Sequence, residues 1–261
     1  MTRRRPPAGL LIPAAGALAL VLIPLAGLLL HVPWASLPSQ LTSSDVRTAL
    51  RLSIECSLLT VTISLLLGVP LAWMLARSNF RGKTVVRALV TLPMVLPPVV
   101  GGVALLLAFG AHGFAGEALS RIGIALPFTT AGAVLAETFV AMPFLVIAVE
   151  AGLRQADQRF EEAAATLGAR PWTRFWRVTL PMIAPSLVAG AALSWARALG
   201  EFGATITFAG NLPGTTQTMP LAVYVALETN TDGAIALSLV MLVVSSTILI
   251  GLRRRWLGTT A

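Results

Sequence analysis

Six long apolar runs divide this sequence, and they constrain its fold more than any other feature. They cover residues 10–30, 52–76, 85–109, 131–152, 182–208 and 234–252. Each run is close to or longer than the about 20 residues that a helix needs to cross the hydrocarbon core of a bilayer. With 56% hydrophobic and 11% charged residues, the chain has too few polar side chains to cover a soluble globule of 261 residues. The sequence therefore predicts an all-α membrane protein with six transmembrane helices.

The distribution of basic residues predicts how these spans are oriented. Fifteen of the 19 Lys and Arg residues fall on one side of the predicted membrane, at positions 3–5, 77–87, 154–177 and 253–255. Arg47, Arg51 and Arg121 fall on the other side, and Arg197 lies within a span. Because Lys and Arg accumulate in cytoplasmic loops, both termini and the loop 153–181 are predicted to be cytoplasmic. The net charge of +8 is interpreted in the same way, and not as a sign of nucleic-acid binding.

The first run follows three arginines, an order that is also found in secretory signals. It exceeds the about 7–15 residues of a typical signal core, and no A-x-A-like cleavage site follows it. We interpret it as an uncleaved span. No internal repeat or soluble domain is visible, so the sequence predicts a single membrane domain over residues 1–261.

A polar segment at residues 161–181 interrupts the apolar runs. Just ahead of it and within it, an apolar stripe with helical spacing is formed by Phe160, Ala163, Ala164 and Leu167. Asp157 is placed to cap the start of this helix, and Gly168 to end it in the left-handed conformation. The pattern predicts a short helix and a turn outside the bilayer. By itself, the periodicity favours an amphipathic helix that lies on the membrane surface.

The spacing of the whole segment resembles the EAA loop of ABC importer permeases. The matching positions are Glu162, Ala163, Ala164, Gly168, Val178, Leu180 and Pro181, with Val178 where isoleucine is usual. In that family the loop forms a coupling helix that docks on a cytoplasmic ATPase subunit. The resemblance implies an ATPase-coupling role for Glu161, Glu162, Ala163, Ala164, Leu167, Gly168, Leu180 and Pro181.

Charged residues inside the predicted spans form a second candidate site. Arg197 and Glu201 lie one helical turn apart in the fifth run, where a charge needs a partner or water. Two interpretations stay open. The two residues form a core ion pair that pins the helix, or Arg197 supplies positive potential along an anion pathway while Glu201 sets its rotamer. Glu137 in the fourth run has the same two interpretations.

Small residues and prolines predict how the spans pack. The fifth run has one face with Gly190, Ser194 and Ala198 and another with Ala192, Ala196, Gly200 and Ala204. Such four-residue spacing lets helix backbones approach closely in lipid. In the third run, Pro93, Pro97 and Pro98 predict a kink.

Sequence patterns typical of catalysis are missing. The chain has two histidines and one cysteine, which do not suffice for a credible metal cluster. Residues 81–84 match the tail of a phosphate-binding loop, but its first glycine is absent. We therefore expect no enzymatic activity and no cofactor bound by this chain. ATP would be used by a separate subunit.

The stretch 196–211, with 213–214, 216–218 and 220–221, is similar to the permease subunit of molybdate importers. Sulfate permeases are similar across residues 199–203 but less so through 208–218. The resemblance implies a type I importer permease fold and the translocation of molybdate or tungstate. Sulfate, thiosulfate or another oxyanion is the alternative substrate.

The same resemblance implies a set of partners. They are a second copy of this chain, two cytoplasmic ATPase subunits and an external oxyanion-binding protein, assembled in the cytoplasmic membrane of a prokaryote. A rival from another class is an ion-coupled secondary transporter, in which Glu137, Arg197 and Glu201 would form an ion relay. That rival predicts inverted repeats, which the sequence does not show.

Overall fold

The computed structural model describes residues 8–257, without the side chains of Ala8, Leu249 and 251–257. Every regular element in this range is helical, which confirms the predicted all-α fold. The helices are α1 (Ala8–Leu30), α2 (Leu37–Leu41), α3 (Ser44–Arg77), α4 (Lys83–Val95), α5 (Pro98–Phe109), α6 (Phe114–Ser120), α7 (Thr130–Gln155), α8 (Arg159–Thr166), α9 (Pro171–Arg174), a π-helical turn (Phe175–Thr179), α10 (Leu180–Leu199), α11 (Gly203–Phe208), α12 (Met219–Thr229) and α13 (Thr231–Leu257).

Five helical stretches in the described range are long and apolar enough to cross a bilayer. They are Gly9–Leu30, Ser44–Arg77, Thr130–Gln155, Pro171–Leu199 and Thr231–Ile248. The pair α4 and α5 passes the same test as one bent span and brings the number to six. Each predicted apolar run thus overlaps one of these spans, and the chain is a multi-pass membrane protein. The predicted cytoplasmic position of the termini rests partly on residues 3–5, which lie outside the described residues.

The third predicted span, 85–109, is corrected to two helices. α4 and α5 meet at an angle of 119°. Pro97 caps the start of α5, and Pro98 is its first residue. Neither residue has a backbone N–H to donate, so the hydrogen-bond ladder of α4 cannot continue through them. The bend that the prolines predict is therefore present, and it is sharp enough to separate the run into two elements.

The fifth predicted span, 182–208, is corrected at both ends. The helical stretch begins at Pro171, where a proline at the first turn has no N–H to leave unpaired, and it ends at Leu199. A break follows, and the remaining residues form the separate helix α11. The second half of the predicted loop 153–181 is therefore already part of the helix that continues into the membrane.

Three helices were not predicted. α2 and α6 are short, and α12 lies between the fifth and sixth predicted spans. α12 begins after Thr218 with a proline in its first turn and is shorter than a span. α3 also begins eight residues before the predicted position 52, because Ser43 caps it and accepts a hydrogen bond from the Val46 N–H at 3.4 Å.

The core lies where α3, α7 and α10 pack together. α7 is the most enclosed span, with 67% of its most apolar window buried. Its inner residues Leu145, Val146, Val149 and Leu153 pack in one cluster with Val69, Ala72 and Leu75 of α3 and Ile183 of α10. A Cβ atom on Gly190 would lie 3.0 Å from the Cβ of Ala148, so α10 approaches α7 closely here. This contact confirms the predicted packing role of the small-residue face with Gly190, Ser194 and Ala198, all of which are buried.

Candidate functional site

Residues 157–181, which we name the coupling segment after the role that the resemblance implies, contain α8, a turn and the start of the helical stretch that leads into α10. Asp157 accepts a hydrogen bond from the Arg159 backbone N–H through Oδ1 at 3.0 Å. α8 follows, with Glu161 and Glu162 in its first turn. The predicted helix is present. The predicted cap is corrected, because the N-cap position is occupied by Gln158, whose side chain makes no capping hydrogen bond, and Asp157 lies one residue before it.

Gly168 ends α8 in the predicted way. Its φ of 79° lies in the left-handed region, and a Cβ atom added to it would have no atom of the described residues within 4 Å. The Ala169 N–H donates to the Ala164 carbonyl oxygen at 3.0 Å, and the Gly168 N–H donates to the Ala165 carbonyl oxygen at 3.0 Å. These two bonds form a Schellman motif, which satisfies carbonyl groups that the end of a helix leaves unpaired.

The apolar stripe of α8 faces away from the rest of the chain. Leu167 is 87% exposed and Phe160 is 60% exposed, and no residue of α8 is buried. Leucine and phenylalanine side chains gain free energy when they leave water, so this face is suited to contact with another surface. Both the membrane surface and a partner protein remain compatible with this exposure alone.

The two acids of α8 have different surroundings. An ion pair joins Glu161 to Arg77 at the end of α3, with Oε1 and Nη2 3.0 Å apart. Glu162 is exposed, and no cation of the described residues lies within ion-pair distance of it. Of the two acids predicted to act in coupling, only Glu162 presents a carboxylate outward.

Leu180 and Pro181 lie at the start of α10, apart from the exposed face of α8. Pro181 is exposed in the first turn, whereas Leu180 is half-buried. Leu180 lines a groove of about 790 Å³ between α3 and the helices that precede the membrane part of α10, together with Trp73, Trp172 and Trp176. These two residues therefore shape the entry of α10 and do not add to the outward face of α8.

Arg197 and Glu201 form the ion pair that their spacing predicts, with Nη2 and Oε2 2.5 Å apart. The Arg197 side chain is 26% exposed and the Glu201 side chain 1% exposed. Glu201 also accepts a hydrogen bond from the Ala204 N–H through Oε1 at 2.8 Å. Its carboxylate thus joins the end of α10 to the first turn of α11, across the break between them.

Glu137 has a hydrogen-bond partner of its own, separate from the Arg197–Glu201 pair. It is buried in α7, and Thr60 of α3 donates a hydrogen bond to its Oε2 at 3.1 Å. The same hydroxyl also lies 3.3 Å from the Val134 carbonyl oxygen. The three charged residues predicted as one candidate site therefore form a pair between α10 and α11 and a separate contact between α3 and α7.

Two polar features of the bundle were not singled out from the sequence. Glu150 of α7 binds Arg154 at 2.8 Å and Arg87 of α4 at 2.6 Å, which fixes α4 against α7. The spacing of Glu150 and Arg154 was a visible signal, but nothing in the sequence pointed to Arg87. Buried hydroxyls also follow helical spacing along α3, at Ser53, Ser57, Thr60 and Ser64.

These hydroxyls bind neighbouring helices through side-chain hydrogen bonds. The Trp195 Nε1–H of α10 donates to Ser57 Oγ at 2.9 Å, and the Met219 N–H of α12 donates to Ser53 Oγ at 2.6 Å. Among the described residues, no group of three His, Cys, Asp or Glu side chains is arranged to hold a metal ion. The candidate sites present charged side chains that can bind charged partners.

Comparisons with known proteins identify relatives over most of the chain. Residues 68–257 match the family described as "Binding-protein-dependent transport system inner membrane component". The molybdenum transport system permease protein ModB of Mycobacterium tuberculosis is 46% identical over 244 residues, which is 94% of this chain and 92% of that protein. ModB of Escherichia coli K12 is 45% identical over 69% of this chain and 80% of its own length.

More distant relatives include a sulfate transporter subunit and solved transporter structures. The sulfate transport system permease protein CysT of Escherichia coli K12 is 37% identical over 80% of this chain and 76% of that protein. The fold matches a bacterial ABC transporter that imports alginate, with a TM-score of 0.77, 19% identity and coverage of 97% of this chain and 95% of that one. The MetNI methionine ABC transporter matches with a TM-score of 0.59, 18% identity and coverage of 83% and 95%.

Proposed function

Because this chain belongs to the family of binding-protein-dependent transport system inner membrane components, we propose that it is the membrane subunit of an ATP-driven importer for molybdate or tungstate. It is a multi-pass protein of the cytoplasmic membrane and a transport subunit, not an enzyme. The observation that carries the choice of anion is the 46% identity to a molybdenum permease across 94% of the chain. Sulfate is the second candidate, because a sulfate permease is 37% identical over 80% of the chain.

The coupling segment is the part of this chain on which the ATPase subunit would act. Its support is the outward apolar face of α8 together with the outward carboxylate of Glu162. The Schellman motif at Gly168 fixes the C-terminal end of α8, the helix that carries this face. ATP would be bound and hydrolysed by the partner subunit, with no cofactor held by this chain. Because residues 171–199 form one continuous helical stretch, a displacement of α8 reaches the membrane part of α10 directly.

The proposed assembly is a homodimer with two ATPase subunits and an external oxyanion-binding protein. Transporters of the same fold include one solved in complex with a periplasmic protein bound to alginate pentasaccharide. Two exposed surfaces of this chain are suited to contact with a second copy. None of the apolar window of α1 is buried, and the second small-residue face of α10 leaves Ala196 and Gly200 exposed. Small residues on such a face permit close approach of another helix within lipid.

Arg197 is the residue we assign to the anion path. Its guanidinium remains partly exposed beside an apolar bundle, where a fixed positive charge attracts a divalent anion more strongly than in water. Glu201 neutralises that charge while no anion is present. An arriving oxyanion would compete with the Glu201 carboxylate for the guanidinium, so binding would be reversible and not tight enough to trap the anion.

The test is uptake in cells that lack their own molybdate importer. These cells would carry this chain with its ATPase subunit and external binding protein, and labelled molybdate would be offered with excess tungstate or excess sulfate. We expect uptake that tungstate suppresses and sulfate does not. Suppression by sulfate alone would contradict the molybdate assignment and favour the sulfate alternative.

A further inference from the structure

One ion pair links the exposed helix α8 to the transmembrane bundle, and we propose that it transmits motion from α8 to α3. The pair consists of Arg77 and Glu161. This inference rests on the function proposed above, and it assigns positioning roles to both residues. Glu161 would act within the chain, whereas its neighbour Glu162 would face the ATPase subunit.

The Arg77–Glu161 pair attaches α8 to the end of α3. No residue of α8 is buried, and its backbone neighbours are the turn at Gly168 and the loop after α7. Within the part of the chain that the structure describes, the Arg77–Glu161 contact is the one side-chain hydrogen bond between α8 and another helix. If this contact were removed, no side-chain hydrogen bond among the described residues would join α8 to α3.

Burial makes this pair different from an ordinary surface ion pair. The Arg77 side chain is only 8% exposed and the Glu161 side chain 21% exposed. Exposed pairs contribute little because water screens them and their side chains are mobile. A largely buried guanidinium depends on its carboxylate, since an uncompensated charge away from water is costly. Among the described residues, the buried Nε of Arg77 has no hydrogen-bond partner, and Glu161 accepts the hydrogen bond that the Arg77 Nη2 donates.

The position of Arg77 gives the pair a mechanical consequence. It is the last residue of α3, whose inner face packs on α7 and α10 through the shared core cluster. α8 is therefore joined covalently to α7 through the loop 156–158 and to α10 through α9, and the ion pair adds a connection to α3. A force applied to α8 would then move α3 together with the two helices that the chain already links to it, as alternating access by rigid bodies requires.

The experiment compares transport with ATP hydrolysis in the same proteoliposomes. They would contain the complete importer, with molybdate as the transported anion, and the readout is molybdate accumulated per ATP hydrolysed. Arg77→Gln and Glu161→Gln should each lower this ratio by about tenfold, a size typical of coupling between distant sites. Arg77→Lys should retain the ratio because it keeps the charge. The double variant should be no worse than either single variant, because residues that act as a pair are not additive.

The controls separate transmission from a structural role. Co-purification with the ATPase subunit checks that each variant assembles. Arg154→Gln is the matched control, since it removes another arginine at the same end of the bundle but leaves Glu150 paired with Arg87. It should keep the wild-type ratio. Parallel losses of uptake and hydrolysis in Arg77→Gln, with the ratio unchanged, would overturn the proposal. A wild-type complex without ATP-driven uptake would contradict the proposed function and, with it, this role.

Discussion

Gly168 fixes the shape of the coupling segment through its backbone conformation. Its φ of 79° is in a region that costs an L residue about 1–2 kcal/mol. Nothing crowds the position of a Cβ there, so strain and not collision would be the effect of a substitution. A residue that avoids this conformation would unwind the turn and change the direction in which α8 points.

Replacing Gly168 by valine or asparagine tests this constraint. Gly168→Val should reduce ATP-driven uptake and weaken co-purification of the ATPase subunit, because a β-branched residue is poorly suited to positive φ. Gly168→Asn should be milder, because asparagine enters the left-handed region more readily. Membrane insertion should be unchanged in both. Equal behaviour of the two variants would mean that the left-handed conformation is unimportant for coupling.

The pair of Arg197 and Glu201 is asymmetric, and this asymmetry predicts the effect of breaking it. Arg197→Ala leaves a carboxylate that is 1% exposed without its cation, whereas Glu201→Gln leaves a guanidinium that is 26% exposed. Breaking a buried pair costs about 3–5 kcal/mol, and a partly hydrated partner loses less. Arg197→Ala should therefore lower the thermal unfolding midpoint in detergent more than Glu201→Gln does.

A double variant separates stability from transport at this pair. Arg197→Leu with Glu201→Gln removes both charges, keeps an amide oxygen near the Ala204 N–H and should recover the unfolding midpoint. If Arg197 contributes to the anion path, this stable variant should still transport little molybdate. Normal uptake by the double variant would show that the pair only stabilises the bundle.

At the scale of helices, a missing backbone N–H could be predicted from the sequence, whereas a contact between distant residues could not. Pro97 and Pro98 marked the break between α4 and α5 because a missing N–H is a local property. The break after Leu199 has no proline. The Glu201 carboxylate bridges this break to the Ala204 N–H, a local contact three residues along that the sequence analysis did not use. Arg77 and Glu161 are 84 residues apart, so no local pattern could pair them.

The exposed face of α8 leads to a prediction for the element as a whole. Leu167→Asp should weaken co-purification of the ATPase subunit by at least about tenfold, because burial of a leucine contributes about 1.5–3 kcal/mol. Thr166→Asp is the matched control, since it places the same charge in the last turn of the same helix but off the apolar stripe. Equal losses in the two variants would point to helix destabilisation and not to a docking face.

For the whole molecule, the orientation in the membrane is the prediction on which the proposed partners depend. Arg77 contacts α8, and Arg87 and Arg154 share Glu150 near the end of α7 that leads to α8. We predict that this end of the bundle faces the cytoplasm. The native Cys56 is buried, so engineered cysteines can be labelled over a low background. In intact spheroplasts, a membrane-impermeant maleimide should label Pro213→Cys and spare Thr166→Cys. Labelling of position 166 from outside would place α8 beyond the reach of any cytoplasmic ATPase.

The most direct measurement is molybdate accumulation by the reconstituted complex in proteoliposomes without an ion gradient. The vesicles would contain this chain and its ATPase subunit, with binding protein and molybdate on one side and ATP on the side of the ATPase subunit. We predict accumulation that requires ATP and ends when the ATPase subunit is omitted. Accumulation by this chain alone, driven by an imposed proton or sodium gradient, would contradict an ATP-driven importer.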